Sequence, residues 1–123
     1  MPDHGLDRCR ILVVEDEYLL AEELTQELAD LGALVLGPVA SIDTAVALLE
    51  SEAAPDGAIL DVNLGGDPVF PLADRLIDRG IPVIFTTGYD PATLPARYLH
   101  VPTCSKPFTA ARVTEAIGQA IHA

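Results

Sequence analysis

Short apolar runs that alternate with helical patterns constrain the fold of this chain most strongly. The runs cover residues 11–14, 33–36, 58–60, 82–85 and 101–104. They contain little polar alternation, as expected of parallel strands that helices cover on both faces. We therefore predict five strands in a parallel sheet.

Helical patterns fill the intervals between these runs. Leucines at helical spacing precede Gly32, which suits the position just past a helix end, and Ser41 can cap a second helix. A third helix is predicted to start at Pro68 or Pro71 and to end before Gly80. Each helix lies between two of the predicted strands.

The last two intervals differ from each other. Residues 108–121 have the apolar spacing of a final helix, whereas Pro91 and Pro95 would interrupt a helix in residues 88–99. We expect only one or two short turns in that segment. Strands that alternate with helices and connect through right-handed crossovers predict an α/β fold, with helices on both faces of the sheet.

Length and charge limit the organisation and the partners of this chain. Its 123 residues predict one domain, residues 1–123, in which residues 1–9 form an N-terminal extension. No apolar run approaches the roughly 20 residues of a membrane span. The polar start lacks the apolar stretch of a signal peptide, so we expect a cytoplasmic protein without a membrane partner. The net charge of -12 argues against a nucleic-acid partner, so we expect the partners to be proteins.

Polar residues follow the predicted strands at the edge of the sheet where ligands bind in such folds. They are Glu15, Asp16, Asp61, Thr86, Thr87 and Lys106, which is the only lysine of the chain. Three carboxylates at about 4 Å repel one another by about 1–4 kcal/mol per pair, so the cluster needs positive charge. Lys106 and a divalent cation would supply it, and ligands that are all oxygens favour Mg²⁺. This combination of groups predicts phosphoryl transfer.

Four segments of the sequence resemble the receiver domain of two-component response regulators. They are residues 13–17 (VVEDE), 59–64 (ILDVNL), 82–88 (PVIFTTG) and 105–108 (SKPF). The resemblance extends over almost the whole chain. It implies a flavodoxin-like fold with strand order 2-1-3-4-5 and a short or irregular fourth helix, and a cis peptide bond between Lys106 and Pro107.

The resemblance also implies a magnesium site with four ligands. Asp16 would bind Mg²⁺ directly, and Glu15 would be a second acidic ligand that acts through water. Asp61 would bind the same ion. Asn63 would contribute its backbone carbonyl rather than its side chain.

By the same resemblance, Asp61 is expected to be the phosphoacceptor. The donor would be a phosphohistidine of a histidine kinase or of a histidine phosphotransfer protein. Thr87 would hydrogen-bond the phosphoryl group and Lys106 would pair with it. The chain would then be a regulator that catalyses only its own phosphorylation and dephosphorylation, and that switches its interaction with a downstream protein partner.

Residues 61–66 and 85–89 further resemble FAT GUY receivers, a subgroup that is often freestanding and tied to stress-signalling phosphorelays. The chain departs from the subgroup at Thr86, where alanine is usual.

A larger departure from ordinary receivers concerns the residue that reports phosphorylation. Thr103 stands three residues before Lys106, where an aromatic switch residue is usual. We therefore expect Tyr89 and the segment 90–99, rather than the fifth strand, to carry the change outward.

Two alternatives remain open from the sequence. A haloacid dehalogenase-type phosphatase or phosphotransferase would also use an aspartate nucleophile, here Asp61, together with Mg²⁺. That family has a second aspartate two residues later, where this chain has Asn63, and no cap insertion is evident. The chain is also compatible with a receiver cut from a longer regulator or a hybrid kinase.

Overall fold

The computed structural model describes residues 5–51, 54–88 and 90–123, without the side chains of residues 67 and 91. Within these ranges the strands are β1 (Arg10–Val14), β2 (Leu34–Val39), β3 (Gly57–Asp61), β4 (Asn63–Leu64), β5 (Asp67–Pro68), β6 (Val83–Thr87) and β7 (Thr103–Ser105). The α-helices there are α1 (Tyr18–Asp30), α2 (Ile42–Ser51), α3 (Phe70–Asp78) and α4 (Ala110–Ile121). Two 3-10 turns, Pro91–Thr93 and Ala96–Tyr98, lie between β6 and β7.

Five of these strands form one parallel sheet in the order β2-β1-β3-β6-β7. The predicted order 2-1-3-4-5 is confirmed, because β6 and β7 are the fourth and fifth strands of this sheet. The second strand is longer than predicted and continues through Pro38 to Val39. Such a sheet collects the carboxyl ends of its strands at one edge, which is where the polar residues lie.

A short antiparallel hairpin, which the sequence pattern does not predict, follows β3. Strand β4 pairs with β5, and the turn residues Gly65 and Gly66 have φ angles of 57° and 95°. Two positive φ angles in a two-residue turn favour glycine, and strands of two residues are too short to reveal an alternating pattern. The hairpin brings Gly65 close to the acidic edge, since a Cβ on it would lie 3.7 Å from Asp16 Oδ2.

The hydrophobic core has two parts, one on each face of the sheet. The α2/α3 face buries strand residues that include Leu12, Leu60 and Phe85. The α1/α4 face buries the intervening strand residues, which include Val13, Ile59, Ile84 and Cys104. Because alternate residues of a strand point to opposite faces, Glu15, Asp61 and Thr86 continue the α1/α4 face toward the carboxyl edge.

The helix boundaries differ slightly from the predicted ones for local reasons. Helix α3 begins at Phe70, between the two predicted starts, with Pro71 in its first turn, where no backbone N–H is needed. Helix α4 begins at Ala110 rather than at residue 108, because the Thr109 hydroxyl accepts a hydrogen bond from the Arg112 N–H (3.2 Å) and caps the helix. No helix in the described ranges has the length and apolar character needed to cross a membrane.

The residues just before β1 pack against the rest of the domain. Leu6 is buried in the core of the α1/α4 face. The Arg8 N–H donates to the Gly32 carbonyl (2.8 Å), and a ring nitrogen of His122 lies 3.1 Å from the Gly5 carbonyl. Residues 5–9 therefore connect the start of the domain to α1 and to the end of α4.

Candidate functional site

Three carboxylates meet at the carboxyl edge of the sheet. Glu15, Asp16 and Asp61 each place an oxygen within 4.8 Å of the others. The parallel register pairs Val14 with Leu60, so the next residues along the two strands, Glu15 and Asp61, are neighbours. Glu15 and Asp61 are only 3% and 5% exposed, whereas Asp16 is exposed. The predicted acidic cluster thus forms from residues 45 and 46 positions apart in the chain.

Burial makes this cluster electrostatically unfavourable. The pKa of Glu15 is raised to about 8, chiefly by burial and further by the hydrogen bond and the negative charge of Asp61, while Glu17 and Lys106 act in the opposite direction. One Glu15 oxygen, Oε2, accepts from the Glu17 N–H (3.1 Å). The other, Oε1, is buried and finds no hydrogen-bond partner among the described residues. Such an oxygen is costly to bury unless a proton or a cation reaches it.

Lys106 reaches this cluster from the far side of β6. Its Nζ lies 3.3 Å from Asp61 Oδ2 and 3.7 Å from Glu15 Oε2. A third carboxylate, Glu17, lies 3.6 Å from Lys106 Nζ. Glu17 belongs to the VVEDE segment, but nothing in the sequence pattern predicts this contact. Burial alone would lower the pKa of Lys106, but the charges of Asp61, Glu15 and Glu17 outweigh that effect and raise it.

The backbone fixes the position of Lys106 and of the second Asp61 oxygen. The Lys106 N–H donates to the Thr87 carbonyl (2.7 Å), which attaches the start of the loop to the end of β6. The peptide bond between Lys106 and Pro107 is cis, as the resemblance implies. The Asn63 N–H donates to Asp61 Oδ1 (3.2 Å), so each oxygen of Asp61 has its own partner.

The donor set of this edge fits a hard divalent cation. One ammonium faces four carboxylates in this region, because Asp16 adds to the three that contact Lys106. All the candidate ligand atoms are oxygens, which is the preference of Mg²⁺. The buried Glu15 Oε1 has no donor among the described residues, which fits a proton or a cation at this position. These residues could therefore hold Mg²⁺.

The remaining predicted site residues lie at the ends of β6 and β7. Thr87 is buried (1% exposed) at the end of β6, next to Thr86, which is fully buried. Tyr89 lies outside the described residues. The Thr103 hydroxyl donates to the Val101 carbonyl (3.1 Å), so this side chain bonds to the backbone just before β7.

Tyr98, in the segment 90–99, forms an aromatic cluster with Phe70 and Phe85 that the sequence pattern does not predict. Tyr98, 1% exposed, stacks on Phe70 at 4.9 Å and meets Phe85 edge-on at 5.5 Å. Its hydroxyl donates to Asp74 and to the Phe70 carbonyl (3.2 Å). Burial, and then the bond to Asp74, raise the pKa of Tyr98 to about 12. The one available signal was that Tyr98 is the only aromatic residue in that segment.

Arg97 completes the attachment of this segment to α3. Its guanidinium lies 4.5 Å from the centre of the Tyr98 ring and pairs with Asp74 Oδ2 at 3.2 Å. The hydrogen bond from Tyr98 and the one from Arg97 together lower the pKa of Asp74. The second 3-10 turn is therefore joined to α3 through both a buried ring and an exposed ion pair.

Comparison with known proteins places the chain among bacterial regulators. No protein-family model matches the sequence. The phyllosphere-induced regulator PhyR of Methylorubrum extorquens is 35% identical, over 90% of this chain and 43% of that protein, so the chain spans less than half of that relative. The solution structure of SdrG from Sphingomonas melonis Fr1 is 38% identical, with a TM-score of 0.80, over 94% of this chain and 98% of the other. A response regulator receiver protein from Sinorhizobium medicae is 29% identical, with a TM-score of 0.79, over 97% and 98%.

Proposed function

This chain belongs to the family of response regulator receiver domains, and we propose that Asp61 is its phosphoacceptor in a two-component phosphorelay. One observation carries the proposal. Asp61 is buried at the end of β3, within 4.8 Å of two further carboxylates and 3.3 Å from the only lysine of the chain. A carboxylate in such a place has no evident structural task, because burying it beside other carboxylates is unfavourable.

The chemistry proposed for Asp61 is an in-line displacement at phosphorus. An Asp61 oxygen forms a bond to phosphorus, and the bond to the histidine nitrogen of the donor protein breaks with its electron pair remaining on that nitrogen. The Asn63 N–H holds one Asp61 oxygen and Lys106 the other, which orients the carboxylate for attack. The Lys106 ammonium then pairs with the incoming phosphoryl oxygens, and the Thr87 hydroxyl donates to one of them.

Four ligands are proposed for the magnesium ion that this reaction requires. Asp16 and Asp61 would bind it through their carboxylates, Glu15 through water and Asn63 through its backbone carbonyl. When bound, Mg²⁺ supplies the positive charge that lets a phosphoryl group approach these carboxylates. Asp16, the exposed member of the cluster, is open to an ion from solvent.

The chain is proposed to act as a regulator that catalyses only its own phosphorylation and dephosphorylation. Two of the matched proteins are described as a regulator and as a response regulator receiver protein. The comparisons give no support to the haloacid dehalogenase-type alternative. The proposed donor is a histidine kinase or a histidine phosphotransfer protein in the cytoplasm, and the proposed output is a changed contact with a downstream protein partner.

The proposed unit is one receiver domain, residues 1–123, in which residues 1–9 are an N-terminal extension. Tyr89 and the segment 90–99 are proposed to carry the phosphorylation signal from the site to the surface. The Tyr98 cluster supports this route, because Phe85 lies two residues before Thr87 on β6 and touches the Tyr98 ring.

The test is phosphorylation by acetyl phosphate, followed by intact mass measurement. Wild type should gain one phosphoryl group in Mg²⁺ and none in chelator, whereas Asp61→Asn should gain none. Equal labelling of Asp61→Asn would contradict the assignment. Release of phosphate from many substrate molecules per protein would favour the enzyme alternative instead.

A further inference from the structure

A row of polar side chains crosses the sheet at the level of Asp61. The register pairs Asp61 with Thr86 on β6, and Thr86 with Cys104 on β7. Glu15 stands on the other side of Asp61, one position beyond the pair Val14 and Leu60. Paired residues of parallel strands point to the same face, and neighbouring strands lie about 4.8 Å apart. The Thr86 side chain therefore stands directly beside that of Asp61, on the α1/α4 face.

The hydroxyl of Thr86 is buried and has no hydrogen-bond partner in the described part of the chain. Thr86 is 0% exposed, and its Oγ1 makes no hydrogen bond with any described residue. The buried Thr114 shows the usual arrangement, since its hydroxyl donates to the Ala111 carbonyl at 3.0 Å. Native proteins rarely leave a buried hydroxyl unsatisfied, so this one calls for a partner that arrives in another state of the site.

Lys106 reaches Asp61 across the intervening strand β6. Strand β6 lies between β3 and β7, yet Lys106, which follows β7, places Nζ 3.3 Å from Asp61 Oδ2 on β3. Its side chain must therefore cross β6 at its carboxyl end, where Thr86 and Thr87 lie. Whatever group separates Lys106 from Asp61 enters the space next to the Thr86 hydroxyl.

We infer that Thr86 is a second hydroxyl donor, beside Thr87, for phosphorylated Asp61. The inference rests on the proposed function and extends it to a residue where the resembling subgroup usually has alanine. In the free site the hydroxyl has no acceptor among the described residues, and phosphorylation brings oxygens to the position beside it. The hydrogen bond forms in the phosphorylated state only, so it favours that state over the free one.

The test measures beryllofluoride affinity and unliganded stability in the full chain. Beryllofluoride with Mg²⁺ serves as the phosphoryl mimic. Thr86→Val keeps the shape and removes the hydroxyl, Thr86→Ser keeps the hydroxyl, and Thr103→Val is the matched control on the neighbouring strand. Thr86→Val should bind beryllofluoride about tenfold more weakly, the loss of roughly one hydrogen bond, although its unliganded form should be at least as stable as wild type. Thr86→Ser and Thr103→Val should bind like wild type.

A purely structural role for Thr86 predicts a different result. Thr86→Val would then change stability but bind beryllofluoride within about twofold of wild type, which would overturn the inference. Thr86→Ala provides the same comparison if the valine variant folds poorly. Failure of the proposed function is distinguishable, because wild type itself would then bind no beryllofluoride, or Asp61→Asn would bind it equally well.

Discussion

The acidic edge of the sheet and the segment 90–99 after β6 are stabilised in opposite ways. At the edge, strand register brings Glu15 and Asp61 together, and their charges oppose the fold until a proton or a cation compensates them. The segment 90–99 has two 3-10 turns and no α-helix, and one buried ring, Tyr98, attaches it to α3 and β6. The edge is electrostatically strained, whereas the segment lacks long helices and is joined to α3 by the Tyr98 ring and the ion pair between Arg97 and Asp74.

This difference suggests how a local reaction becomes a signal. In the proposed relay, the charge change at the site passes to an element of low local stability. Strand β6 touches both regions, because Thr87 ends at the site and Phe85 packs on Tyr98.

Removing the Tyr98 ring should have the largest effect on stability. Tyr98→Ala should lower the free energy of unfolding by about 3–5 kcal/mol, because a fully buried aromatic side chain is lost. Tyr98→Phe should lower it by only about 1 kcal/mol, the loss of the hydroxyl bonds. Urea denaturation measures both values. Leu99→Ala, at a neighbour that is 63% exposed, is the control and should change stability by less than about 0.5 kcal/mol. A similar loss in Tyr98→Ala and Leu99→Ala would show that the segment is not held through Tyr98.

Metal-free wild type should lose stability as the pH rises from about 5 to about 8. Folding raises the pKa of Glu15 from an ordinary value of 4.5 to about 8. Within this window the folded protein keeps a proton that the unfolded chain releases, so rising pH favours unfolding, by about 1–3 kcal/mol over the window. Urea denaturation in chelator at several pH values measures the slope. Glu15→Gln should flatten it, whereas the exposed Glu23→Gln should leave it unchanged. The same slope in both variants would exclude Glu15 as its source.

Removing one carboxylate from the cluster should stabilise the metal-free protein. Asp16→Asn or Asp61→Asn should raise the free energy of unfolding by about 1 kcal/mol, because fewer charges repel one another. Mg²⁺ should stabilise wild type and barely affect Asp16→Asn, which a thermal melt with and without the ion detects. Glu115→Gln, an exposed change on α4, is the control for net charge. Equal stabilisation of wild type and Asp16→Asn by Mg²⁺ would show that Asp16 is no ligand.

The smallest effect concerns the relay and is measured by amide chemical shifts. Beryllofluoride should shift amides both at Asp61 and in the segment 90–99 of wild type. Tyr89→Ala and Tyr98→Phe should reduce the shifts in that segment and leave those near Asp61 in place, since both residues belong to the proposed relay. If Tyr89→Ala retains the full remote pattern while Thr103→Val abolishes it, the signal runs through β7 and the relay proposed here is wrong.

The sequence predicted the edge far better than the segment. Strand ends are local features, and the parallel arrangement that the alternation of strands and helices implies places Glu15, Asp61 and Lys106 at one edge of the sheet. The strand order implied by the family resemblance then makes them neighbours. The aromatic cluster depends on which way a residue of a 3-10 turn points, and no periodicity encodes that. The bond from Tyr98 to Asp74 joins residues 24 positions apart, in elements that the pattern places independently.

Two further features near the site escaped prediction for the same kind of reason. The contact of Glu17 with Lys106 depends on the path of the loop between β1 and α1. The unpartnered hydroxyl of Thr86 is visible only once the surrounding atoms are placed. The residue types at the strand ends predicted the chemistry of the site. The contacts of adjacent residues such as Glu17 and Thr86 could be identified only in the packed structure.

Locating the acyl phosphate itself tests directly whether Asp61 is the phosphoacceptor. Borohydride reduces an aspartyl phosphate to the corresponding alcohol, which peptide mass spectrometry can assign to one residue. After treatment with acetyl phosphate and Mg²⁺, we expect the reduced residue at Asp61 alone, and none when chelator replaces Mg²⁺. Reduction at Asp16 or at any other carboxylate, with Asp61 intact, would contradict it.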